Sequence, residues 1–184
     1  MVICIDVDDV ICNLQETVIE LFNKRYGANY KLSDFTEYDI MNVLPTQDAI
    51  VFRDIYGEPG LYDKVKPMLG AQKALEKLVH CGHQVYLVTA AIPKTYGEKV
   101  AFIQRFFPCM DESHIICMKN KWLLNCDIMI EDKLQTLLNG RHYHRILMNQ
   151  PWNSSSKDWI YGVNRCNNWD EILEVVNQIN EWER

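Results

Sequence analysis

Three carboxylates, Asp6, Asp8 and Asp9, occupy four consecutive positions directly after a short apolar run at residues 2–5. Because the side chains of a strand alternate between its two faces, Asp6 and Asp8 can point the same way. Two like charges at this distance repel each other unless a cation lies between them. The alternative for a single Asp is a turn or a helix cap, which Asp favours. For the whole cluster, we predict a divalent-metal site with a nucleophilic or acid–base carboxylate.

Further polar residues follow three later apolar runs of the chain. They are Thr89, with the backbone of Ala90 beside it, after residues 84–88, Lys121 after residues 114–117, and Glu131 and Asp132 after residues 126–130. Alone, Thr89 could be a cap, Lys121 a solvated charge, and the acidic pair a favourable helix N-terminus. In a parallel sheet, however, the carboxyl ends of all strands meet at one edge, where ligands bind. We therefore predict that carboxylates, a hydroxyl and an ammonium group meet at this edge of the sheet, which we call the rim.

Apolar runs of strand length alternate with helical patterns from Gly70 onwards. This alternation is typical of a parallel sheet with right-handed crossovers. We therefore predict an α/β fold, with a Rossmann-like parallel five-stranded sheet and helices on both faces. The predicted strands lie at residues 2–5, 84–88, 114–117, 126–130 and 144–148.

Residues 14–66 differ in character from the rest of the chain. Helical spacing of apolar residues begins at Leu14, and from residue 28 single apolar residues alternate with Asp, Tyr, Asn and Pro, with many aromatic residues. A second helix is predicted near 46–56, before the turn residues 57–60. We interpret 14–66 as a small, mainly helical cap inserted after strand one, with 1–13 and 67–184 as the α/β core.

The composition limits the class of protein. The chain has 184 residues, 48% hydrophobic content and a net charge of −6, which argues against a nucleic-acid polymer as partner. Seven scattered cysteines without a C-x-x-C pair favour a reducing compartment over disulfides or zinc. We find neither a signal-peptide pattern nor an apolar stretch of membrane-spanning length, and predict a cytoplasmic protein with no membrane partner. A homodimer is left open.

The order of these motifs resembles that of the haloacid-dehalogenase superfamily: Asp-x-Asp after strand one, Thr after strand two, then Lys, then an acidic pair. Short segments along nearly the whole chain are similar to the 5′(3′)-deoxyribonucleotidase family and its bacterial and phage members. These segments are Asp6-Val7-Asp8-Asp9-Val10, Asn23-Lys24-Arg25-Tyr26-Gly27, Gly60-Leu61-Tyr62, Pro67-Met68-Leu69-Gly70-Ala71, Thr89-Ala90-Ala91-Ile92 and Asn168-Trp169-Asp170-Glu171-Ile172.

The resemblance implies a Mg²⁺ whose ligands are Asp6, the backbone carbonyl of Asp8, and Asp132. Glu131 would lie next to these ligands without binding the metal itself. It also implies that Asp6 attacks phosphorus to form an aspartyl-phosphate. A metal is needed because a phosphate dianion repels a carboxylate nucleophile. Asp8 would protonate the leaving oxygen and later activate water.

Four further positions are assigned to phosphate and substrate. Lys121 would hold the phosphate in register with Asp6, while Thr89 and the Ala90 amide bind its transferring oxygens. Asp9 is assigned to substrate binding with them. Two departures from the family pattern stand out: Glu131 occupies a position where the family often has Asp, and Ala90 one where eukaryotic members have Ser.

Aromatic residues of the predicted cap could bind a nucleobase. Tyr62 follows the flexible Gly60, so we expect its ring to stack on the base, with Phe35 and Phe52 as the next candidates and the cap core as the alternative for each. The leading hypothesis is a Mg²⁺-dependent phosphomonoesterase for (deoxy)ribonucleoside monophosphates. The alternatives are a phosphatase for another small phosphomonoester and a non-catalytic metal-binding pseudophosphatase; a dehalogenase is disfavoured by Asp8 and the acidic pair.

Overall fold

A computed structural model describes residues 1–140, 142–154 and 162–182. Within these ranges six parallel strands form one sheet in the order β3-β2-β1-β4-β5-β6. The strands are β1 (Val2–Asp6), β2 (Gln84–Thr89), β3 (Ile115–Cys117), β4 (Ile128–Glu131), β5 (His144–Met148) and β6 (Val163–Cys166). The α/β class, the parallel sheet and its Rossmann-like arrangement confirm the prediction.

The apolar strand β1 lies in the middle of the sheet, between β2 and β4. Ile3 and Ile5 pack into the larger hydrophobic cluster on one face, whereas Cys4 packs into a smaller cluster on the other. Burial on both faces explains why residues 2–5 are apolar without alternation. The register pairs Asp6 with Val88, so the acidic end of β1 lies beside the end of β2.

Helices cover both faces of the sheet. They are α1 (Leu14–Tyr26), α2 (Thr46–Tyr56), α3 (Ala71–His80), α4 (Tyr96–Phe106), α5 (Leu134–Asn139) and α6 (Trp169–Trp182). The larger cluster receives buried residues of α3, α4 and α6, and the smaller one receives Leu137 of α5. Among the described residues, none of the helices combines the length and apolarity that crossing a membrane requires.

The number of strands differs from the predicted five. The additional strand, β6, lies at one edge of the sheet and pairs with β5 only. Its sequence, Val-Asn-Arg-Cys, has buried residues only at its two ends and no continuous apolar run. A strand that is short, polar and at an edge leaves little periodic signal in the sequence, so it was missed.

Residues 14–66 contribute no strand to the sheet within the described chain. They form α1, two short 3-10 helices and α2, and α1 ends at Gly27, which adopts a left-handed φ of 65°. The aromatic rings of this segment pack together: Phe22 stacks on Phe52 at 4.3 Å, and Phe35 meets Phe52 edge-on at 5.4 Å. Its mainly helical character agrees with the sequence pattern.

Candidate active site

Asp6 and Lys121 form a buried ion pair at the rim of the sheet. Lys121 Nζ lies 2.5 Å from Asp6 Oδ1 and 3.1 Å from Glu131 Oε1. Asp6 Oδ1 also accepts a hydrogen bond of 2.7 Å from the backbone N–H of Val7. Asp6 ends β1, Glu131 ends β4 and Lys121 begins a 3-10 helix after β3, so the parallel topology brings the three together.

The charges of this group affect one another strongly. Burial raises the pKa of Asp6, but the Lys121 ammonium and hydrogen bonds more than offset it, so the pKa lies below its usual value. Burial and the Asp6 charge raise the pKa of Glu131 well above its ordinary range. These opposite directions favour the ionised form of Asp6 and the neutral form of Glu131. An ionised carboxylate is the form in which Asp6 can act as a nucleophile.

Asp132 completes a buried acidic cluster. Ligand oxygens of Asp6, Glu131 and Asp132 all lie within 4.8 Å of one another. Burial and the Asp6 charge raise the pKa of Asp132 to about 7. Several carboxylate oxygens converging at this distance suit a hard divalent cation, which would stabilise the ionised forms that burial disfavours.

Asp8 is held by donors on both of its carboxylate oxygens. Tyr62 donates its hydroxyl to Oδ1 at 2.8 Å, and Lys99 Nζ lies 2.6 Å from Oδ2. Lys99 also donates to Thr89 Oγ1 at 2.7 Å. Lys99 thus joins Asp8, which follows β1, to Thr89, which ends β2.

Asp9 lies in the turn that leads from β1 into α1. It adopts a left-handed φ of 56°, and its Oδ1 accepts the backbone N–H of Gln15 in the first turn of α1 at 2.9 Å. Burial, followed by the Asp132 charge, raises its pKa well above the ordinary value. Asp9 lines the pocket, but these contacts support a structural role in the turn before α1; its role in substrate binding stays a prediction.

A pocket of about 730 Å³ opens above the acidic cluster. Ala90, Tyr38 and several charged residues lie on its wall, whereas Thr89 is fully buried beneath it. Side chains from the core rim and from residues 14–66 both contribute. The lining residues from the core rim include Asp6, Asp8, Lys99, Lys121, Asp132 and Trp152, and those from 14–66 include Phe35, Tyr38, Arg53, Tyr56 and Tyr62.

The aromatic residues proposed to stack on a base are buried. Tyr62 is 3% exposed and its ring packs 6.1 Å from that of Phe102, while Phe35 and Phe52 are 1% and 0% exposed. Among the rings that line the pocket, Tyr38 is the most exposed, at 54%. Tyr38 was not predicted as a base-binding residue, because an isolated Tyr in a polar segment has no periodic signal.

Two other contacts of the site were also missed. Lys99 lies on the apolar face of α4 with Phe102 and Ile103, at helical spacing, and is 2% exposed. A Lys on the apolar stripe of a helix is a signal that could have identified it. Trp152 donates its indole N–H to Asp132 Oδ2 at 2.8 Å, and nothing in the local sequence predicts that contact.

The chain matches a protein family over residues 1–180, which is almost its whole length. The family is described as 5′ nucleotidase, deoxy (pyrimidine), cytosolic type C protein. The chain belongs to this 5′-nucleotidase family. It is accordingly a phosphoric monoester hydrolase of the 5′-nucleotidase type, as the sequence motifs predicted.

Bacterial relatives of this 5′-nucleotidase support the same assignment. A 5′(3′)-deoxyribonucleotidase from Clostridium acetobutylicum is 26% identical over 178 residues, covering 97% of this chain and 96% of the relative. A 5′(3′)-deoxyribonucleotidase from Bacillus subtilis is 27% identical over 173 residues, covering 93% and 95%.

Solved structures confirm the fold of the 5′-nucleotidase. A haloacid-dehalogenase family hydrolase from Deinococcus radiodurans, solved with bound phosphate and sodium, matches with a TM-score of 0.63 at 13% identity, covering 97% of this chain and 96% of the other. A haloacid-dehalogenase-like hydrolase from Streptococcus pneumoniae matches with a TM-score of 0.62 at 14% identity, covering 95% and 97%. The fold is that of the haloacid-dehalogenase superfamily.

Proposed function

We propose that this 5′-nucleotidase is a Mg²⁺-dependent phosphomonoesterase that hydrolyses deoxyribonucleoside monophosphates through an aspartyl-phosphate on Asp6. The observation that carries the proposal is the buried group of Asp6, Lys121, Glu131 and Asp132 at the floor of the pocket. The names of the bacterial relatives support the deoxyribonucleotide as substrate.

The residues present fit Mg²⁺. Asp6 and Asp132 offer carboxylate oxygens within 4.8 Å of each other, and oxygen is the ligand that Mg²⁺ prefers. When bound, the cation would neutralise charge on the phosphate oxygens and so permit attack by an anionic nucleophile. The ligands of Mg²⁺ would be Asp6, Asp132 and the Asp8 backbone carbonyl. Glu131 would lie next to these ligands without binding the metal itself. Because Glu131 hydrogen-bonds Lys121, we assign it to positioning that lysine.

The chain supplies the remaining roles through its own side chains. Asp6 attacks phosphorus, and Lys121 compensates its charge while holding the phosphate beside it. Asp8 transfers the proton to the leaving oxygen and then accepts one from the attacking water. We assign the Ala90 backbone N–H to the transferring oxygens, as in other phosphoryl-transfer sites. Thr89, buried beneath the pocket, accepts a hydrogen bond from Lys99 and so helps to position that lysine. Residues 14–66 serve as the cap, since Tyr38 and Arg53 line the same pocket as the residues at the edge of the sheet.

A substrate panel with detection of free phosphate tests the proposal. The purified chain with Mg²⁺ should release phosphate from deoxyribonucleoside 5′- and 3′-monophosphates with a higher kcat/KM than from sugar phosphates. A preference for a phosphoester without a base would favour the alternative of another small phosphomonoester. Absence of phosphate release from every member of the panel would favour the non-catalytic alternative.

Replacement of Lys99 should impair catalysis. Lys99→Met removes the ammonium group that joins Asp8 to Thr89, so both lose a charge-assisted hydrogen bond. Such bonds contribute roughly 1.5–3 kcal/mol, which corresponds to a loss in kcat of about tenfold to a hundredfold. Steady-state kinetics on a deoxyribonucleoside monophosphate measures the loss.

Two variants control the Lys99 experiment. Lys77→Met makes the same substitution at an exposed position of α3 and should leave kcat unchanged. Lys99→Arg keeps the positive charge and should recover part of the activity. An unchanged kcat in Lys99→Met, with the protein folded, would show that Asp8 and Thr89 do not depend on this lysine.

Two tyrosines of the pocket should have separable roles. We propose that Tyr62 orients Asp8 through its hydroxyl and that the exposed Tyr38 ring contacts the base. Tyr62→Phe keeps the ring and should lower kcat equally for nucleotides and for sugar phosphates. Tyr38→Ala should lower kcat/KM for nucleotides by roughly tenfold to a hundredfold, as loss of 1–3 kcal/mol of stacking implies, and spare sugar phosphates.

The same comparison tests the stacking role predicted for Tyr62. If Tyr62 stacks on the base, Tyr62→Phe should be harmless and Tyr62→Ala should impair nucleotides alone. Tyr26→Ala, at an exposed ring near the end of α1, is a suitable control for removal of a surface aromatic. Equal kinetics of Tyr38→Ala and the wild type would remove Tyr38 from base recognition.

A further inference from the structure

The loop after β5, residues 149–154, contacts the acidic rim at several points. Trp152 Nε1 donates to Asp132 Oδ2 at 2.8 Å, and Asn153 Nδ2 donates to the Asp132 backbone carbonyl at 2.7 Å. Gln150 Nε2 donates to the Asp9 backbone carbonyl at 2.8 Å. One loop therefore holds both the acidic residue after β4 and the turn after β1.

This loop is itself tied to the edge of the sheet. Arg165 of β6 donates to Asn153 Oδ1 at 2.7 Å and to its backbone carbonyl at 2.6 Å. Asn153 also donates to the Met148 backbone carbonyl at 2.9 Å, and its side chain is 5% exposed. Because Asn153 is buried and hydrogen-bonded on both its oxygen and its nitrogen, the loop has little freedom to shift.

The contact with the Trp152 indole makes the two carboxylate oxygens of Asp132 different from each other. Oδ2 is the oxygen that accepts the Trp152 N–H, so the indole engages one of the two carboxylate oxygens. A carboxylate with one oxygen engaged in this way presents the other oxygen alone to a cation. Mg²⁺ takes single oxygens in a near-ideal octahedron, whereas Ca²⁺ accepts more oxygens and readily binds a carboxylate through both.

We propose that Trp152 is a positioning residue for the metal centre, which restricts Asp132 to one metal bond and so favours Mg²⁺ over Ca²⁺. The inference rests on the proposed metal site at Asp6 and Asp132. Side chains that hydrogen-bond to a metal ligand, without binding the metal themselves, commonly raise metal affinity by about tenfold to a hundredfold. The substitution Trp152→Phe keeps an aromatic ring at this position and removes the N–H donor.

Calorimetric titration of the free protein with Mg²⁺ and, separately, with Ca²⁺ tests the proposal without substrate. Trp152→Phe should weaken Mg²⁺ binding by about tenfold to a hundredfold and Ca²⁺ binding by less. The ratio of the Mg²⁺ affinity to the Ca²⁺ affinity should therefore be smaller than in the wild type. Trp152→Leu, which removes the same donor with a different shape, should behave in the same way. Trp182→Phe, at a ring 78% exposed on α6, is the matched control and should bind both cations as the wild type does.

A kinetic measurement separates positioning from a general loss of structure. In Trp152→Phe the Mg²⁺ concentration for half-maximal phosphate release should rise, while kcat at saturating Mg²⁺ stays near the wild-type value. Unchanged Mg²⁺ affinity in a Trp152→Phe variant, beside a wild type that binds Mg²⁺, would overturn this inference and leave the metal site intact. A wild type that binds no divalent cation would instead overturn the proposed metal centre itself.

Discussion

Asp6→Asn is expected to abolish turnover while leaving the fold intact. An amide cannot form the acyl-phosphate, and the site also loses a carboxylate ligand for the metal. The fold should survive because Asn has nearly the same volume and can still accept the Val7 N–H, and because Lys121 keeps Glu131 as a partner. Phosphate release from a deoxyribonucleoside monophosphate, with circular dichroism of the same preparation, measures both effects.

A matched variant and a trapping experiment sharpen the Asp6 test. Asp54→Asn, at an exposed position of α2, makes the same chemical change away from the pocket and should retain full activity. Rapid acid quenching with substrate labelled in its phosphate should leave label on the wild type and none on Asp6→Asn. Loss of covalent catalysis should lower turnover to less than about 1% of the wild-type rate. Residual activity above that level would contradict the assignment of Asp6 as the nucleophile.

Removal of divalent cations is expected to inactivate the enzyme completely. The Asp6 and Asp8 carboxylates already contact the Lys121 and Lys99 ammonium groups, and a phosphate dianion adds two negative charges that these ion pairs do not balance. EDTA should therefore stop phosphate release, and excess Mg²⁺ should restore it. Ca²⁺ should substitute poorly, because it takes more ligands at longer distances and disturbs in-line attack.

Thermal unfolding gives a second measurement of the metal site. Mg²⁺ that binds the folded chain should raise the melting temperature as its concentration increases, by mass action. The Asp132→Asn variant, which loses one ligand, should show a smaller increase. Full activity in chelator would refute the metal requirement, and an identical shift in the wild type and Asp132→Asn would remove Asp132 from the ligands.

The sequence alone was sufficient to predict the α/β class, the parallel sheet and the residues at its rim. Buried parallel strands are continuous apolar runs, and the polar residues that end them are conspicuous for that reason. Asp6, Lys121, Glu131 and Asp132 were identified in this way, and the structure brings them together because parallel strands end at one edge. The helical character of residues 14–66 was also visible as a change of pattern.

Only the tertiary structure decided which other side chains reach the rim. Lys99 comes from the face of α4, Trp152 from a loop after β5, and Tyr38 from a loop between two 3-10 helices. Their contacts depend on how distant segments pack, which local periodicity does not encode. The burial of Tyr62, too, follows from its packing against Phe102 and its hydrogen bond to Asp8, partners 40 and 54 positions away in the chain. Local sequence records which residues an element contains, whereas the packing of elements determines which of them meet.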